Sequence, residues 1–416
     1  MEHNRIFFSD ILCGLEVTYS QLLSDVSSTR IVSPVCKHQS FYQVFKHIIV
    51  SMLSGVPITL LDGELTDDEV TALLADETLL SSPEVDIDLR NISSIETLSS
   101  SLRQTRKDWR VTLYTSGTTG RPKRVSHSFQ TITRNVRTDV SHSSDVWGFA
   151  YNPTHMAGLQ VFFQALFNCN SVIRLFGLSK EAIFSQIDHY GITHISATPT
   201  FYRLLLPCEG TFSQVKRITS GGEKFDSKTL EQLQKCFPQA KLTNVYASTE
   251  AGTLFASKGD EFTVKPELSH LVRVSNHELW IHQSLLGDSE SFVLTDGWYN
   301  TGDLVEIVTL SPLTIRFISR KSEMINVGGY KVNPSEVEDV IRQIPNVQDV
   351  RVYAKDNRIL GKVICCEIVA QSGEPIKETF VRHYLQTRLQ EYKIPRLYRF
   401  VDHLTVTNSG KLSRQQ

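Results

Sequence analysis

The chain has no excess of charge of either sign: Lys+Arg 43 stand against Asp+Glu 45, a formal net charge of -2. Without a basic stripe it offers no electrostatic footprint for nucleic acid. It also lacks a long apolar run, since no uncharged apolar stretch reaches the roughly 18–20 residues a bilayer span requires. The opening residues Met1-Glu2-His3-Asn4 carry neither the basic start nor the apolar core of a secretory leader. These absences predict a cytoplasmic protein with no nucleic-acid partner and no membrane span. The 7 cysteines are odd in number and show no metal-type spacing, so reduced thiols are expected. Two of them, Cys365 and Cys366, are adjacent inside the apolar run 363–368, which reads as a buried strand. No internal repeat is visible.

What remains is an ordinary globular composition, with 40% hydrophobic and 21% charged residues over 416 positions, enough for two or three domains. Residues 40–53 place Phe41, Val44, Phe45, Ile48, Ile49 and Leu53 on one helical face, ended by Gly55 and followed by a strand over 56–61. The Ser-rich stretch 81–106 reads as an irregular link. From residue 111 strand and helix patterns alternate, as an α/β fold requires: strands at 111–114, 171–175, 194–197, 215–220 and 240–246, helices at 128–139, 200–206 and 228–236. Between about 254 and 318 the pattern changes to short strands and turns, closer to a barrel or distorted sheet. Beyond residue 322 come a helix over 334–343 opened by Asn333, strands at 349–354 and 362–369, a helix over 374–389 and a strand at 397–401.

The most informative segment is residues 114–124, Tyr-Thr-Ser-Gly-Thr-Thr-Gly-Arg-Pro-Lys-Arg. Thr115, Ser116, Gly117, Thr118, Thr119 and Gly120 can curl backbone N–H groups around phosphate oxygens, because glycine permits the conformations that an anion cradle needs. Their hydroxyls add donors and Lys123 adds a mobile charge. The spacing is not that of a Walker A loop, which needs a longer gap and a lysine opening a helix. Further on, Asn244, Tyr246, Thr249 and Glu250 follow a strand. A hydroxyl and a carboxylate at a strand end can contact a phosphate and Mg²⁺, an ion that prefers oxygen ligands.

Together these segments resemble the adenylate-forming superfamily, which includes acyl-CoA synthetases, nonribosomal-peptide adenylation domains and luciferases. Residues 115–123 look like its phosphate loop. Asn244-x-Tyr246-x-x-Thr249-Glu250 resembles its Asn-x-Tyr-Gly-x-Thr-Glu motif, with Ala247 where glycine is usual, and 299–304 resembles Tyr-x-Thr-Gly-Asp-Leu. Ser319-Arg320-Lys321-Ser322 resembles the hinge motif, with Ser319 replacing glycine and Ser322 replacing Asp or Lys. Residues 404–414 resemble Leu-Pro-x-Thr-x-x-Gly-Lys-x-x-Arg, with Thr405 in place of proline and Lys411 as the lysine. Weaker likenesses are Pro153-x-His155-x-x-Gly158, whose positions recur in CoA ligases, and the turn Ser220-Gly221-Gly222-Glu223.

The resemblance implies a large multi-layer N-terminal α/β region, residues 1–320 and reduced before the phosphate loop, and a small mobile α+β lid, residues 321–416. It implies activation of a carboxylic acid by ATP to acyl-AMP with release of pyrophosphate, then thioester formation. Lys411 would stabilise developing charge, with Thr249, Glu250 and His155 at the reacting groups and Glu250 on Mg²⁺. The phosphate loop, Gly221, Gly222, Asn244 and Tyr246 would bind ATP, with Asp303 and Arg320 on the ribose. The hinge falls at Ser322. Gly328 and Gly329 would let backbone approach a pantetheine arm, though a plain β-turn serves equally well. The acceptor is coenzyme A by first preference, or phosphopantetheine on an acyl carrier protein supplied in trans. A non-catalytic nucleotide-binding homologue is the remaining alternative. The substrate is expected to be a small carboxylic acid; no counterpart is identified for the aspartate that amino-acid-activating domains carry, which weighs against an α-amino acid, while loading of an acyl or aminoacyl group onto a carrier protein stays the alternative.

Overall fold

The computed structural model describes residues 4–74, 84–115, 122–223, 226–327, 330–357, 361–371 and 376–405. Two sheets organise the first part of the chain. An eight-stranded sheet runs in the order Gly252–Ser257, Lys241–Ser248, Arg217–Gly221, His194–Ala197, Val146–Phe149, Ser171–Arg174, Ile6–Asp10 and Leu15–Thr18. Its interior pairings are parallel and its outermost strands pair antiparallel. A four-stranded sheet runs Val35–His38, Ile58–Asp62, Arg110–Thr115 and Lys123–Ser128.

The helices Phe41–Ser54 and Met156–Leu166 share one core with both sheets, and Phe7, Phe8, Phe45, Ile48, Val111, Leu113, Phe162 and Phe163 all meet there. Phe45 lies flat on Phe162 with centroids 4.3 Å apart and stands edge-on to Phe8 and Phe149. The 3.6-residue spacing in 41–53 produced this face: Ser40 caps the helix and Gly55 closes it at φ 72°, a left-handed conformation that glycine adopts without strain. On the opposite face of the eight-stranded sheet the helices Lys180–Tyr190, Pro199–Leu205 and Ser227–Cys236 cover a second core around Ile187, Tyr202, Ile218 and Leu233.

An antiparallel sheet follows, built around the long hairpin of Trp298–Leu310 and Leu313–Arg320. The chain then forms a separate core, in which the helices Pro334–Arg342 and Glu378–Gln386 pack on the strands Val347–Asn357, Gly361–Ala370 and Leu397–Phe400. Asn333 caps the first of these helices, as its position before Pro334 suggests. No helix among the described residues is long and apolar enough to cross a membrane.

Four expectations are corrected. The 81–106 stretch is not irregular throughout: Ser94 and Thr97 form a reciprocal capping box that opens the helix Ile95–Arg103, and Leu98 and Leu102, four apart, bury one face. The helix expected over 128–139 stops at Thr133, because the side chains of Arg134 and Asn135 turn to the carbonyls of Ala251 and Thr253. The helix expected over 374–389 spans Glu378–Gln386. Not all thiols are reduced: Cys208 and Cys236 form a disulfide, while Cys365 and Cys366 are buried in a strand as read.

Candidate active site

A cleft of about 730 Å³ opens where the strand Lys241–Ser248, the long hairpin and the helix Pro334–Arg342 converge. Asn244, Tyr246, Thr249, Glu250, Asp303, Arg320, Ser322, Lys123 and Gly222 all line it. These positions are scattered over two hundred residues of sequence, and the fold brings them to one wall.

Asp303 is the best-defined member. The antiparallel register of the hairpin sets it opposite Arg320, whose Nε donates to Asp303 Oδ1 at 2.9 Å. The Tyr246 hydroxyl donates to the other oxygen at 2.5 Å. The local turn aims the carboxylate: Gly302 N–H donates to Asn300 Oδ1 at 2.8 Å and Asp303 N–H to Thr301 Oγ1 at 3.1 Å. Gly302 sits at φ 72°, where a side chain would strain the backbone. The Asp303 carboxylate therefore lies in the cleft wall as an ionised acceptor, held by one cation and one phenol. Burial, then the negative charge of Asp303, pushes the Tyr246 phenol well above its ordinary range, so it stays a donor. The Tyr246 ring lies flat on Phe317 at 4.2 Å and against Phe255 at 5.6 Å, which fixes its hydroxyl.

Thr249 and Glu250 are held through their main chain. His127 Nε2 donates to the Thr249 carbonyl at 2.8 Å, and Gly287 N–H donates to the Glu250 carbonyl at 2.8 Å. His127 lies on the strand Lys123–Ser128, two pleats from Lys123 and on the same face. One strand thus joins the exit of the 115–123 segment to the Thr249–Glu250 turn. Burial holds His127 below the usual histidine range, so it stays neutral beside the cleft. Glu250 is close enough to Tyr299 that its charge, after burial, helps raise that phenol to about 12.

Asn244 donates from its side chain to the Gly259 carbonyl at 3.0 Å. Gly221 packs so tightly on Val245 that an added Cβ would come within 2.6 Å of it, which is why the strand ends in glycine. Beside Ser322, the Lys321 ammonium pairs with Glu278, which also accepts from Asn300 at 2.6 Å. His155 is not among the cleft residues; it stands at the start of the helix Met156–Leu166. Thr115 ends the strand Arg110–Thr115. Ser116, Gly117, Thr118, Thr119, Gly120, Gly328, Gly329 and Lys411 lie outside the described residues.

The sequence reading missed a charged cluster on the far side of the cleft. Arg203 Nε donates to Asp349 Oδ2 at 3.0 Å, and Arg342 Nε donates to Asp349 Oδ1 at 3.1 Å. Arg203 also reaches Thr200 and Glu223, and Lys228 Nζ donates to the Arg342 carbonyl at 2.7 Å. Burial opposes the charge on Asp349, but the two guanidiniums prevail and hold it below its ordinary value. His127 was missed as well. No local spacing marks the links of Arg203 to Asp349, Lys228 to Arg342 or His127 to Thr249, because the partners lie more than a hundred positions apart.

A family model of AMP-binding enzymes matches residues 44–273, and a model of the AMP-binding enzyme C-terminal domain matches residues 336–411. The chain is 25% identical over 373 residues to 4-coumarate--CoA ligase-like 4 of Oryza sativa subsp. japonica, covering 79% of this chain and 67% of that protein. It is 25% identical over 336 residues to a 2-succinylbenzoate--CoA ligase of Bacillus licheniformis, covering 73% and 68%. The chain thus spans about two thirds of the length of these relatives. Its fold matches that of ATP-bound MatB from Rhodopseudomonas palustris with a TM-score of 0.74 at 19% identity, over 99% of this chain and 94% of that one. With more than half of its length matched by the first model, and with the strand order and cleft described above, the chain belongs to the AMP-binding enzyme family, within the adenylate-forming superfamily.

Proposed function

We propose that this protein is an AMP-forming acid–thiol ligase that joins a small carboxylic acid to coenzyme A. The observation that carries the reading is the Asp303 carboxylate, presented in the cleft wall between Arg320 and Tyr246 and facing the same space as Thr249, Glu250 and Lys123. An ionised, acceptor-only group so placed suits the two hydroxyls of a ribose. The names of the relatives, both CoA ligases, support the thiol acceptor.

In the first step a carboxylate oxygen attacks the α-phosphorus of ATP. The new O–P bond forms as the bond to the β-phosphate oxygen breaks, giving acyl-AMP and pyrophosphate. Residues 115–123 would hold the phosphates, and Lys411 would approach the growing charge as a mobile ammonium. Glu250 and Thr249 offer the oxygen donors that suit Mg²⁺, which when bound with ATP neutralises phosphate charge. In the second step the thiol sulfur attacks the acyl carbon, AMP leaves, and the thiol proton passes to solvent. We assign residues 1–320 to the large region and 321–416 to a lid that turns about Ser322, with Gly328 and Gly329 facing the pantetheine arm. Alternating closure of this kind sequesters the two steps in turn.

The test is pyrophosphate release with ATP, Mg²⁺ and a panel of aryl, short-chain, fatty and amino acids, with hydroxylamine to trap the adenylate. Lys411→Ala and Asp303→Ala are the controls. The expected outcome is release with one acid class, cut at least about a hundredfold by Lys411→Ala, the scale of losing one transition-state donor. Thioester formation with coenzyme A then completes the assignment, and transfer only to a carrier protein would replace the acceptor. ATP binding without release from any acid in the panel would overturn the catalytic reading.

A further inference from the structure

Away from the cleft, the strand Val35–His38 and the helix Phe41–Ser54 bring together one thiol and two imidazoles. Cys36 and His38 are two apart on the strand and share a face. The helix folds back over that face and carries His47 down to it. One ligand atom from each of the three lies within 4.8 Å of the other two, and His38 Nε2 and His47 Nδ1 are 3.3 Å apart. We propose that Cys36, His38 and His47 form a binding site for a borderline-soft divalent metal ion of the Zn²⁺ class, clamping the helix to the strand.

The orientation of His47 favours a metal. Its Nε2 is 2.7 Å from the Ser33 carbonyl, which can only accept, so Nε2 carries the proton. The Nδ1 lone pair is thereby turned toward His38 and Cys36. A backbone carbonyl behind one ring nitrogen is the partner that a metal-ligating histidine takes, because it fixes both the tautomer and the ring angle. In the metal-free protein the 3.3 Å contact is a hydrogen bond that His38 Nε2–H donates to His47 Nδ1, and a bound ion would take the place of that proton, which His38 can carry on Nδ1 instead. Binding would displace the Cys36 thiol proton to solvent as the sulfur–metal bond forms. Lys46 stands close enough to depress both histidines and opposes a cation, so affinity must rest on the thiolate.

One sulfur and two nitrogens suit Zn²⁺ and not Mg²⁺, which requires oxygen. With three protein ligands, water completes the tetrahedron. None of the three residues lines the catalytic cleft. Cysteine spacing alone conceals such a site, since only one ligand is cysteine.

The probe is Co²⁺, titrated into the metal-free full chain in a reductant that is not itself a thiol. A single equivalent should produce a thiolate-to-cobalt charge-transfer band in the near ultraviolet, which Zn²⁺ then abolishes by displacement. Cys36→Ala should remove the band, and His47→Ala should weaken binding by at least about tenfold. Absence of the band at saturating Co²⁺, or a band undiminished in Cys36→Ala, overturns the site. If Cys36→Ala fails to fold, His47→Gln decides: unchanged Co²⁺ affinity there overturns the proposal, and loss supports it.

Discussion

His194 shows how much a single buried side chain can impose. It is 5% exposed, packs its ring against Trp147 and faces Asp145, with His142, Arg217 and Lys216 also acting on it. Burial, the largest influence, lowers its proton affinity below the ordinary value of 6.5, and the Asp145 charge opposes this without reversing it. The sign follows directly. A depressed folded-state value means that the unfolded chain binds more protons below pH 6.5, so the stability contributed by neutral His194 is present above that pH and is lost as pH falls through it. His127 acts in the same direction. Denaturant melts should show stability falling below about pH 6.5, with a shallower slope in His194→Gln, whose amide does not titrate. An unchanged slope in that variant would remove His194 from the account. The same scale shows what could be read without a structure. Asp303, Tyr246 and Glu250 were legible as cleft residues because each stands in a local motif, although only Asp303 is aimed by its neighbours, while Tyr246 and Glu250 are held by the distant Phe317 and Gly287. His127 was not, because its meaning lies in a carbonyl 122 positions away.

Elements were legible where periodicity and punctuation agreed. The helix Phe41–Ser54 had both a one-sided apolar face and a terminal glycine, and it formed as read. The helix Ile95–Arg103 was obscured by serines that read as a link, although its capping box and the Leu98–Leu102 pair were present in the chain. The strand Ile6–Asp10 carries no alternation to announce it, because it is covered on both faces once it pairs with Ser171–Arg174. The hairpin of Trp298–Leu310 and Leu313–Arg320 makes a prediction at this scale. Gly302→Ala meets open space, so its cost is the left-handed backbone alone, about 1–3 kcal/mol. Part of that strain should relax by moving the turn that aims Asp303. Steady-state kinetics should then show KM for ATP raised several-fold with kcat less affected. A loss of kcat with KM unchanged would mean that the turn does not serve the nucleotide.

At the scale of the whole molecule, the cluster of Arg203, Asp349 and Arg342 joins the helix Pro199–Leu205 to the core formed beyond residue 325, and both arginines also line the cleft. Asp349→Ala should cost about 3 kcal/mol, the lower end for breaking a buried pair, since Glu223, Asp226 and Glu338 remain near the stranded guanidiniums. Thermal melts of Arg203→Ala, Asp349→Ala and the double variant should be non-additive, the double losing less than the sum. Strict additivity would show that the two side chains do not support each other. The separation of this pair has a consequence for synthesis. Arg203 is 4% exposed in the finished chain, yet its Asp349 partner is encoded 146 positions later. At ribosomal rates of roughly 5–20 residues per second, the guanidinium waits on the order of 7–30 s for Asp349. A nascent chain paused in that interval carries a half-built cleft, in which Arg203 has Glu223 and Asp226 beside it in sequence but still lacks the Asp349 carboxylate that completes its pairing.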